Sequence, residues 1–430
     1  MNLLEDLRWR GLIHQLTDEA GLEELLAGNP QTVYIGFDPT AESLHVGSLM
    51  QLMMLRRFQR AGHRPIALVG GATGMIGDPS GKSEERNLLS PDQLEKNVAG
   101  IAAQMRQFLD FEGSSGAILL NNHQWMGNYS YLHFLRDVGK NFPIGAMLGK
   151  ESVRARLESE AGLSYTEFSY MLLQAYDFVV LARDYGCRIQ AGGSDQWGNI
   201  TAGIDLGRRM LQTQLFGLTA PLLTTSDGRK MGKTEQGAIW LSPQRTSPYA
   251  FYQYWVNVPD ADVLKCLRFL TEIPREEYRE IEAGLSISPG AAQQRLAQWM
   301  THLVHGNEGL ERAQKASQAL FGGAQGEIDD QALMESLAGV PRISIGRAEI
   351  DGQGLSLIDA LVRCGLTTSN SDARRTIKEG GAYVREIRIA DQDYRLTSKD
   401  LTAGEAIILR RGKKNYALLH VVEGSTGAGS

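Results

Sequence analysis

Residues 33–49, VYIGFDPTAESLHVGSL, read as a strand, a tight turn and the start of a helix. The first part is β-branched, aromatic or glycine, residues 38–40 are typical of a turn, and Ser43 before an apolar run predicts a helix start. A helix N-terminus offers unpaired backbone N–H groups and a positive dipole end, which suit phosphate. His45 and Gly47 fall in this first turn. The stretch therefore predicts a seat for a nucleotide phosphate.

Short apolar runs repeat after this stretch. Residues 65–70, PIALVG, are typical of a buried parallel strand, so strand, helix and strand form one βαβ unit. The pattern recurs at residues 117–120 and 187–191, each preceded by a helical stretch. We therefore predict a doubly wound α/β domain with a parallel sheet. Its ligand should lie outside the carboxyl ends of the strands.

Composition places the chain among globular proteins. It has 430 residues, 42% of them hydrophobic and 22% charged, which predicts two or three domains. The net charge is −6, but residues 341–420 contain 14 Lys and Arg against 10 Asp and Glu, and the rest of the chain carries −10. The C-terminal end is therefore the basic end, as expected of a nucleic-acid contact.

The cysteines and the N-terminal residues indicate the cellular compartment of the protein. Cys187, Cys266 and Cys364 are few and far apart, which fits a reducing compartment and excludes a disulfide framework or a cysteine-rich zinc site. There is no apolar signal core at the start and no run of about 18 apolar residues. We expect a cytoplasmic protein without a membrane segment.

Changes in pattern along the chain predict its domains. Residues 1–246 carry the α/β pattern, and residues 247–322 show charged helical periodicity, either a small helical domain that contacts an RNA stem or a helical cap on the sheet. Residues 323–354 read as a linker. Residues 355–421 predict a separate module of two short helices, a glycine turn and strands, and residues 422–430 a disordered tail.

The glycine-rich loop at residues 70–86 follows the second strand. Its segment 77–83, GDPSGKS, has three residues between the glycines, one short of a P-loop, and stands after the wrong strand for one. The loop is either a solvated surface loop or a flexible cover that presents Lys82 and Arg86 to a triphosphate. Asp78 either receives a ligand ammonium group or caps the turn.

The helix predicted at residues 164–185 is apolar on nearly every face, so it should be buried. Tyr170, Gln174 and Asp177 nevertheless share one face at spacing i, i+4 and i+7. Buried polar groups must find partners. They bond either one another and the backbone or a ligand, and the sequence leaves both open.

A second glycine turn occurs at residues 190–199, QAGGSDQWGN. Glycine at position 193 lets the backbone approach a ligand, and Asp195 stands where a carboxylate can accept both hydroxyls of a ribose. A simple glycine turn with an Asp cap explains the glycines but not Gln196 and Trp197.

Two lysines mark a polar loop at residues 222–237, LLTTSDGRKMGKTEQG. Lys230 and Lys233 bind phosphate or, as commonly happens for such a loop, belong to a solvated face.

Four motifs in order identify a family. HVGS at 45–48 resembles the HIGH signature of class I aminoacyl-tRNA synthetases, and YIGFDPT at 34–40 resembles its tyrosyl-tRNA synthetase form. GGSDQWGN at 192–199 resembles another signature of that family, and KMGKT at 230–234 resembles KMSKS in its tyrosyl form. The resemblance covers about residues 5–420, and the chain is identified as a member of the tyrosyl-tRNA synthetases.

The resemblance implies a two-step reaction: tyrosine and ATP give tyrosyl-adenylate and pyrophosphate, and the tyrosyl group then passes to the 3′-terminal ribose of tRNA(Tyr). It implies that the tyrosine amino group is held by Tyr170, Gln174 and Asp78, the phenolic hydroxyl by Tyr34 and Asp177, and the tyrosine side of the site also by Gln196. Contacts to ATP are implied for Gly36, Asp38, His45, Gly47, Gly193, Asp195 and Lys233. Catalytic roles are implied for His45, Ser48, Lys82, Arg86, Lys230, Lys233 and Thr234. Mg²⁺ accompanies ATP without a dedicated protein metal site.

The C-terminal module resembles the small RNA-binding fold shared with a small-subunit ribosomal protein. Contacts to RNA phosphates are implied for Arg374, Arg375, Lys378, Arg410, Arg411, Lys413 and Lys414. The family also implies a homodimer, with the stretch around Phe142 and Pro143 as its interface; on sequence alone these two residues read equally well as core.

One motif residue differs from the family signature, and two other interpretations of the chain's function remain open. Ser48 occupies the last HIGH position; because serine still donates a hydrogen bond, we expect an active enzyme with modestly altered ATP handling. A tryptophanyl-tRNA synthetase shares the fold, but Tyr34 with Asp177 suits a phenol better than an indole. The other rival is an RNA-binding protein that keeps only the synthetase body, against which intact His45 and Asp195 argue.

Overall fold

The computed structural model describes residues 2–80, 89–159, 162–234, 237–285, 287–288, 290–321, 342–385, 387–402, 405–412 and 415–422. The chain forms two compact units, residues 1–242 with 257–304 and residues 243–256 with 305–430. Across the described ranges, no helix has the length and apolar composition needed to cross a bilayer.

Up to residue 242 the helices are α1 Leu3–Arg10, α2 Glu19–Ala27, α3 Val46–Arg60, α4 Pro91–Phe108, α5 His123–Met126, α6 Tyr131–Asp137, α7 Ile144–Leu148, α8 Glu151–Leu157, α9 Tyr165–Tyr185 and α10 Trp197–Leu211. The strands are β1 Gln15–Leu16, β2 Thr32–Phe37, β3 Arg64–Val69, β4 Ile118–Asn121, β5 Cys187–Gly193, β6 Phe216–Ala220, β7 Lys233–Thr234 and β8 Gly237–Ala238.

Beyond residue 242 the helices are α11 Pro248–Val256, α12 Asp260–Leu270, α13 Arg275–Gly284, α14 Ala291–Phe321, α15 Arg347–Ile350, α16 Leu357–Arg363 and α17 Asn370–Lys378. The strands are β9 Arg342–Gly346, β10 Leu355–Ser356, β11 Ala382–Val384, β12 Ile387–Ile389, β13 Arg395–Leu396, β14 Ala406–Arg411 and β15 Asn415–Val422.

Six strands form the main sheet, in the order β1-β6-β5-β2-β3-β4. All neighbours from β6 to β4 are parallel, and only the edge strand β1 pairs antiparallel, with β6. The chain places β3 and β4 on one side of β2 and then β5 and β6 on the other. The strand order therefore reverses between β2 and β5, which is where open α/β sheets bind ligands. The predicted doubly wound parallel sheet is confirmed.

Apolar strands explain why this sheet is parallel and buried. Strand β3 has only its first residue exposed, and every residue of β6 is buried. Helices α3, α4, α9 and α10 pack on the sheet. One core cluster joins Tyr34 of β2 and Leu68 of β3 to Phe178 and Leu181 of α9. This packing fixes α9, and with it the polar row, against the sheet.

Helix α3 begins at Val46, not at Ser43 as predicted. His45 is its N-cap residue, and the ring Nδ1 accepts a hydrogen bond from the Gly47 N–H at 3.0 Å. Ser43 is buried outside the helix, where its hydroxyl oxygen accepts hydrogen bonds from Gln104 Nε2 at 2.9 Å and from the Ser242 N–H at 3.1 Å. Serine is a common N-cap, which favoured Ser43, but long-range partners occupy its hydroxyl.

The domain division differs from the predicted one. Residues 257–304 belong to the first unit and residues 243–256 to the second, so residues 247–322 do not form a separate helical unit. The division near residue 304 lies beside a backbone break in α14, where Gly306 has φ 69° and ψ −174°. Helical periodicity identifies helices but not the elements on which they pack, and this is why the sequence misplaced these boundaries.

The predicted linker at residues 323–354 also needs correction. Residues 342–346 form β9, which pairs in parallel with β15 in a five-stranded sheet of order β12-β11-β14-β15-β9. The pairing joins segments far apart in sequence, so no local pattern reveals it. Residues 322–341, and the predicted tail from residue 423 onward, lie outside the described residues.

The C-terminal module has its own core. Both predicted short helices are present, as α16 and α17, and the turn after α17 contains Gly380 at φ 71°. A hydrophobic cluster joins Leu361 of α16 and Ile377 of α17 to Leu409 and Leu419 of the sheet.

Candidate active site

A cavity of about 270 Å³ opens at the carboxyl ends of β2 and β5, at the reversal point of the sheet. The residues singled out from the sequence that line it are Tyr34, Gly36, Asp38, His45, Gly47, Ser48, Asp78, Tyr170, Gln174, Asp177, Gly193, Asp195, Gln196 and Lys230. The fold thus brings together residues from five separate stretches of the sequence.

Asp177 lies among the buried residues of the cavity lining, at what we call its buried end, and is only 2% exposed. Trp125 Nε1 donates to its Oδ1 at 2.8 Å, and Asn122 Nδ2 donates to its Oδ2 at 3.0 Å. Burial raises the pKa of the Asp177 carboxyl to about 7, although these two hydrogen bonds favour the ionised form. The carboxyl is therefore positioned and retains lone pairs for a ligand donor.

Tyr34 also lines this end of the cavity, from strand β2. The Tyr34 ring packs edge-on against Phe178, with 5.3 Å between the ring centroids, and Tyr34 is only 1% exposed. Its hydroxyl has no hydrogen-bond partner among the residues that the structure describes. Burial, with the nearby charge of Asp177, raises the pKa of Tyr34 well above its usual value, so the hydroxyl stays neutral. A buried unpaired hydroxyl is unfavourable until a polar ligand atom reaches it.

Tyr170 donates its hydroxyl to Asp38 Oδ2 at 2.9 Å. Thr73 Oγ1 donates to the other oxygen of the same carboxylate at 2.8 Å, and Asn122 Nδ2 donates in turn to Thr73 Oγ1 at 3.0 Å. Asp38, for which the family resemblance implies a contact to ATP, is therefore also part of the polar network that includes Tyr170.

A second chain of hydrogen bonds joins the remaining predicted tyrosine contacts. Gln174 Nε2 donates to Gln196 Oε1 at 3.2 Å, and Gln196 Nε2 donates to Asp78 Oδ2 at 2.7 Å. Asn199 Nδ2 supports Gln174 by donating to its Oε1 at 3.0 Å. Asp78 also accepts the Ser80 N–H at 2.9 Å. The polar row of α9 therefore bonds to side chains of other elements, and it also lines the cavity.

The opposite end of the cavity is formed by the start of α3. Because His45 Nδ1 accepts from Gly47, the ring proton lies on Nε2, which makes that nitrogen a donor. Glycine at position 47 leaves room for this ring, since a Cβ would lie 2.7 Å from His45 Cε1 and would displace the imidazole. Gly36 is different: a Cβ there would meet no atom within 4 Å, because the position faces open space at the cavity.

Residues 223–231, which we call the signature hairpin, form a short antiparallel turn beside this end. Thr224 and Lys230 face each other in a β-bridge, and the Met231 N–H donates to Leu223 O at 2.9 Å. Lys230 is exposed and lines the cavity. Gly232 follows with φ 80°, where a Cβ would lie 2.7 Å from Val46 Cβ. The hairpin therefore passes directly against the first residue of α3.

Not every predicted phosphate contact lies in the cavity lining. Lys233 and Thr234 form the exposed strand β7, and the Thr234 hydroxyl donates to Gly237 O at 3.1 Å. Lys82 and Arg86 lie outside the described residues.

Known proteins resemble this chain in both sequence and fold. Residues 26–322 match the family model described as tRNA synthetases class I (W and Y), and residues 333–419 match the one described as Tyrosine--tRNA ligase SYY-like C-terminal domain. A tyrosine–tRNA ligase of Rhodopirellula baltica is 68% identical over 422 residues, covering 98% of this chain and 96% of that protein. The chain belongs to the tyrosyl-tRNA synthetase family. The family predicted from the motifs is confirmed.

Two further comparisons agree with this membership. A tyrosine–tRNA ligase of Roseiflexus castenholzii is 53% identical over 423 residues, covering 98% of this chain and 99% of that protein. A solved structure of a C-terminally truncated mitochondrial tyrosyl-tRNA synthetase of Aspergillus nidulans is 31% identical, with a TM-score of 0.67 over 74% of this chain and 94% of that chain. The reaction of the family is aminoacylation of tRNA(Tyr) with tyrosine.

The sequence interpretation missed several polar residues of this synthetase's cavity. Thr73 and Asn122 lie just after β3 and β4, so the rule that ligands lie at carboxyl ends of strands was a usable signal for both. Gln51 and Gln190 also line the cavity, and within the described part of the chain each has a buried Oε1 without a hydrogen-bond partner. Nothing local distinguishes these glutamines, because Gln51 lies within α3 and Gln190 within β5.

The basic residues of the C-terminal module have unequal surroundings. Arg374 and Lys378 are exposed on α17. Arg375 and Arg411 both pair with Asp372, at 2.9 and 3.1 Å. The Arg410 guanidinium stacks on Tyr383, 3.9 Å from the ring centroid. Lys413 and Lys414 lie outside the described residues.

Proposed function

We propose that the cavity binds L-tyrosine with its phenol at Tyr34 and Asp177 and catalyses formation of tyrosyl-adenylate from tyrosine and ATP. The unpaired, buried Tyr34 hydroxyl beside the positioned Asp177 carboxyl carries this proposal. A phenolic hydroxyl donates to Asp177 and accepts from Tyr34, so tyrosine supplies the missing partner. Phenylalanine leaves both groups unsatisfied, at a cost of about 1–3 kcal/mol for each.

The amino group of tyrosine is proposed to lie at the second hydrogen-bonded chain. Asp78 offers the negative charge, and Gln174 and the Tyr170 hydroxyl offer further acceptors on the same side of the cavity. The internal hydrogen bonds hold these three side chains before the ligand arrives, which reduces the ordering that binding requires.

ATP is proposed to occupy the end of the cavity formed by α3 and the glycine turn after β5. Gly36 and Gly193 leave room for the nucleotide, and Asp195 accepts its ribose hydroxyls. His45, Gly47 and Ser48 meet the phosphates at the N-terminus of α3. Asp38 borders both parts of the cavity.

The reaction is proposed to be an in-line displacement. A carboxylate oxygen of tyrosine forms a bond to the α-phosphorus while the bond to the β-phosphate oxygen breaks, and pyrophosphate carries away the electron pair. The carboxylate is already ionised, so no general base is required. His45 Nε2 and Lys230 stabilise the charge that develops on the phosphates, with Lys82, Arg86, Lys233 and Thr234 as further contacts. Mg²⁺ enters as the ATP complex and is held by the phosphates.

The test is ATP–pyrophosphate exchange with each of the twenty amino acids, without tRNA. We expect exchange with tyrosine alone. The Tyr34→Phe variant, which keeps the packing against Phe178, should admit phenylalanine measurably. Exchange of the unmodified chain with another amino acid would overturn the specificity, and absence of exchange would favour the RNA-binding interpretation.

The C-terminal module is proposed to bind tRNA(Tyr) through Arg374, Arg375, Lys378, Arg410 and Arg411, together with Lys413 and Lys414. The exposed pair Arg374 and Lys378 supports a phosphate contact. Replacing both by methionine should weaken tRNA binding and reduce its salt dependence, while exchange without tRNA stays unchanged. Lys399→Met, in the same module, is the control. Unchanged tRNA binding in the double variant would contradict this surface.

A homodimer is proposed on the basis of an exposed apolar region on α6 to α9. Its side chains include Tyr131, Leu132, Ile144, Leu148, Leu157 and Tyr165, each at least 41% exposed. Apolar exposure on this scale is typical of a protein interface, and Pro143 is exposed among these residues. Sedimentation should give twice the chain mass, and Leu132→Asp with Ile144→Asp should give single chains. A monomeric parent would contradict the proposal.

We propose a cytoplasmic location. The three cysteines are all free and buried, as fits a reducing compartment.

A further inference from the structure

Helix α12 (Asp260–Leu270) packs against the signature hairpin through a side chain with no role so far. Lys265 Nζ donates to the Thr224 carbonyl oxygen at 2.7 Å and lies 3.3 Å from Thr224 Oγ1. Lys265 is half-buried, and its Nζ also lies 5.7 Å from the centroid of the Phe269 ring. The ammonium group therefore makes its hydrogen bonds to the hairpin.

Two neighbouring residues on the same helix face extend this contact. Asp262 Oδ2 accepts from Ser226 Oγ at 3.4 Å, and Cys266 Sγ lies 3.6 Å from Met231 Sδ. Asp262 stands three residues before Lys265 and four before Cys266, the spacing that aligns side chains along one side of a helix. One face of α12 thus contacts the hairpin at its first arm, at its turn and at its second arm.

The Lys265 contact bears directly on the cavity. Thr224 is the residue opposite Lys230 in the β-bridge, so the carbonyl that Lys265 holds belongs to the residue paired with the cavity-lining lysine. The Thr225 N–H also donates to Arg229 O at 2.8 Å, which closes the turn between the two arms. A shift of Thr224 would therefore move Lys230.

Helix α12 is in turn fixed to the C-terminal half of α3. The carbonyl oxygen of Thr271, just after α12, accepts from Arg57 Nη2 at 2.7 Å and from Arg10 Nη1 at 3.0 Å. Arg56, the residue before Arg57 on α3, pairs with Glu272 at 2.9 Å. The helix that carries His45 at its N-terminus and the helix that holds the hairpin therefore form one rigid support.

We propose that Lys265 is a positioning residue for adenylate formation: by fixing the Thr224 carbonyl, it holds the signature hairpin in the arrangement that presents Lys230 to the phosphates of ATP. The inference rests on the phosphate role proposed for Lys230. Lys265 contacts no substrate and acts only through the hairpin.

The experiment compares Lys265→Met with the unmodified chain in tyrosine-dependent ATP–pyrophosphate exchange. Loss of one charge-assisted hydrogen bond should lower kcat by roughly tenfold or more and leave the KM for tyrosine unchanged, because the proposed phenol contacts Tyr34 and Asp177 lie on β2 and α9 and not on α12. Lys265→Arg keeps a cation and should recover part of the rate. Lys96→Met, an exposed lysine on α4, is the control and should change neither constant. Thermal unfolding of each variant reports whether it remains folded.

A double-mutant cycle separates positioning from a general structural effect. If Lys265 acts through Lys230, Lys265→Met should have little further effect on kcat in a Lys230→Met background. An undiminished effect in that background would overturn the inference, as would a Lys265→Met kcat equal to that of the unmodified chain. If Lys230→Met itself leaves exchange unchanged, the proposed role of Lys230 fails first. If Lys265→Met does not fold, Ser226→Ala replaces it, because this change removes the hydrogen bond from the hairpin to Asp262 of α12. We expect a smaller loss of kcat in this variant. An unchanged kcat would contradict the proposal that α12 positions the hairpin.

Discussion

The two ends of the cavity are built in opposite ways. At the tyrosine end the polar groups are buried and joined to one another, as in the bonds from Asn122 and Trp125 to Asp177. At the phosphate end the cations are exposed, and Lys230 and Lys233 lie on short strands or turns. The difference follows from the ligands. A phenol differs from a phenyl ring by one hydroxyl, which only positioned, desolvated partners can distinguish, whereas a triphosphate brings several charges that exposed cations can attract.

The two ends of the cavity are also held in place by different elements of the fold. The tyrosine end is held by α9 and the sheet core around Phe178. The phosphate end is held by the N-cap of α3 and by contacts from α12 to the signature hairpin. Substitutions should therefore separate the two ends kinetically, and the following four tests run from the largest expected effect to the smallest.

Asp177→Asn should break the tyrosine end. It removes the carboxylate to which Asn122 and Trp125 donate and weakens acceptance of the phenol, so kcat/KM for tyrosine should fall by roughly 10³-fold, as expected for loss of two charge-assisted hydrogen bonds. The measurement is pyrophosphate exchange over a range of tyrosine concentrations. Asp184→Asn, an exposed position on the same helix, is the matched control. A change confined to the KM for ATP would contradict the assignment.

His45→Asn should break the phosphate end while leaving the fold intact. Asparagine is itself a good N-cap, so α3 keeps its cap and the free energy of unfolding should change by less than about 1 kcal/mol. The ring Nε2 is lost, and kcat for exchange should fall by roughly 10²-fold with the KM for tyrosine unchanged. Denaturant unfolding measures the stability of the variant, and pyrophosphate-exchange kinetics measure its kcat. His45→Ala should lose both rate and stability; equal rates for the two variants and the unmodified chain would remove His45 from the mechanism.

The pH dependence of tyrosine binding should sharpen the contrast. With a pKa of about 7, Asp177 is largely protonated at pH 6 and ionised at pH 8, and the phenolic hydroxyl donates to the ionised form. The KM for tyrosine should therefore fall by up to roughly tenfold across this interval. The same raised pKa makes the free energy of unfolding decrease as the pH rises from about 4 to 7, because the unfolded chain ionises first. Asp177→Asn should abolish both trends, and a flat KM profile in the unmodified chain would exclude this titration.

Ser48→Ala should give the smallest effect. Ser48 lies in the cavity lining at the first turn of α3, so loss of its hydroxyl should raise the KM for ATP a few-fold, as expected for one hydrogen bond that contributes about 1 kcal/mol. The KM for tyrosine should not change. Exchange measured against ATP concentration decides the matter, and an unchanged ATP dependence would show that Ser48 has no such role.

The sequence by itself determined the family, the sheet and most of the cavity. The motifs at residues 33–49, 190–199 and 222–237 are local, because a strand end, a glycine turn and a helix start are each specified by neighbouring residues. The spacing of Tyr170, Gln174 and Asp177 likewise follows from helix geometry alone. These local rules, together with the family resemblance that the motifs carry, predicted the fourteen residues that the fold brings into one cavity.

Only the tertiary structure decided how those residues are supported. Ser43 was displaced as the helix cap because Gln104 and Ser242, distant in sequence, occupy its hydroxyl. Strand β9 joined the C-terminal sheet through pairing with β15, which no short-range pattern encodes. Lys265 resembled any surface lysine until α12 was seen against the hairpin. Hydrogen bonds and strand pairs between remote segments depend on where the chain returns, and that is set by the packing of the whole core.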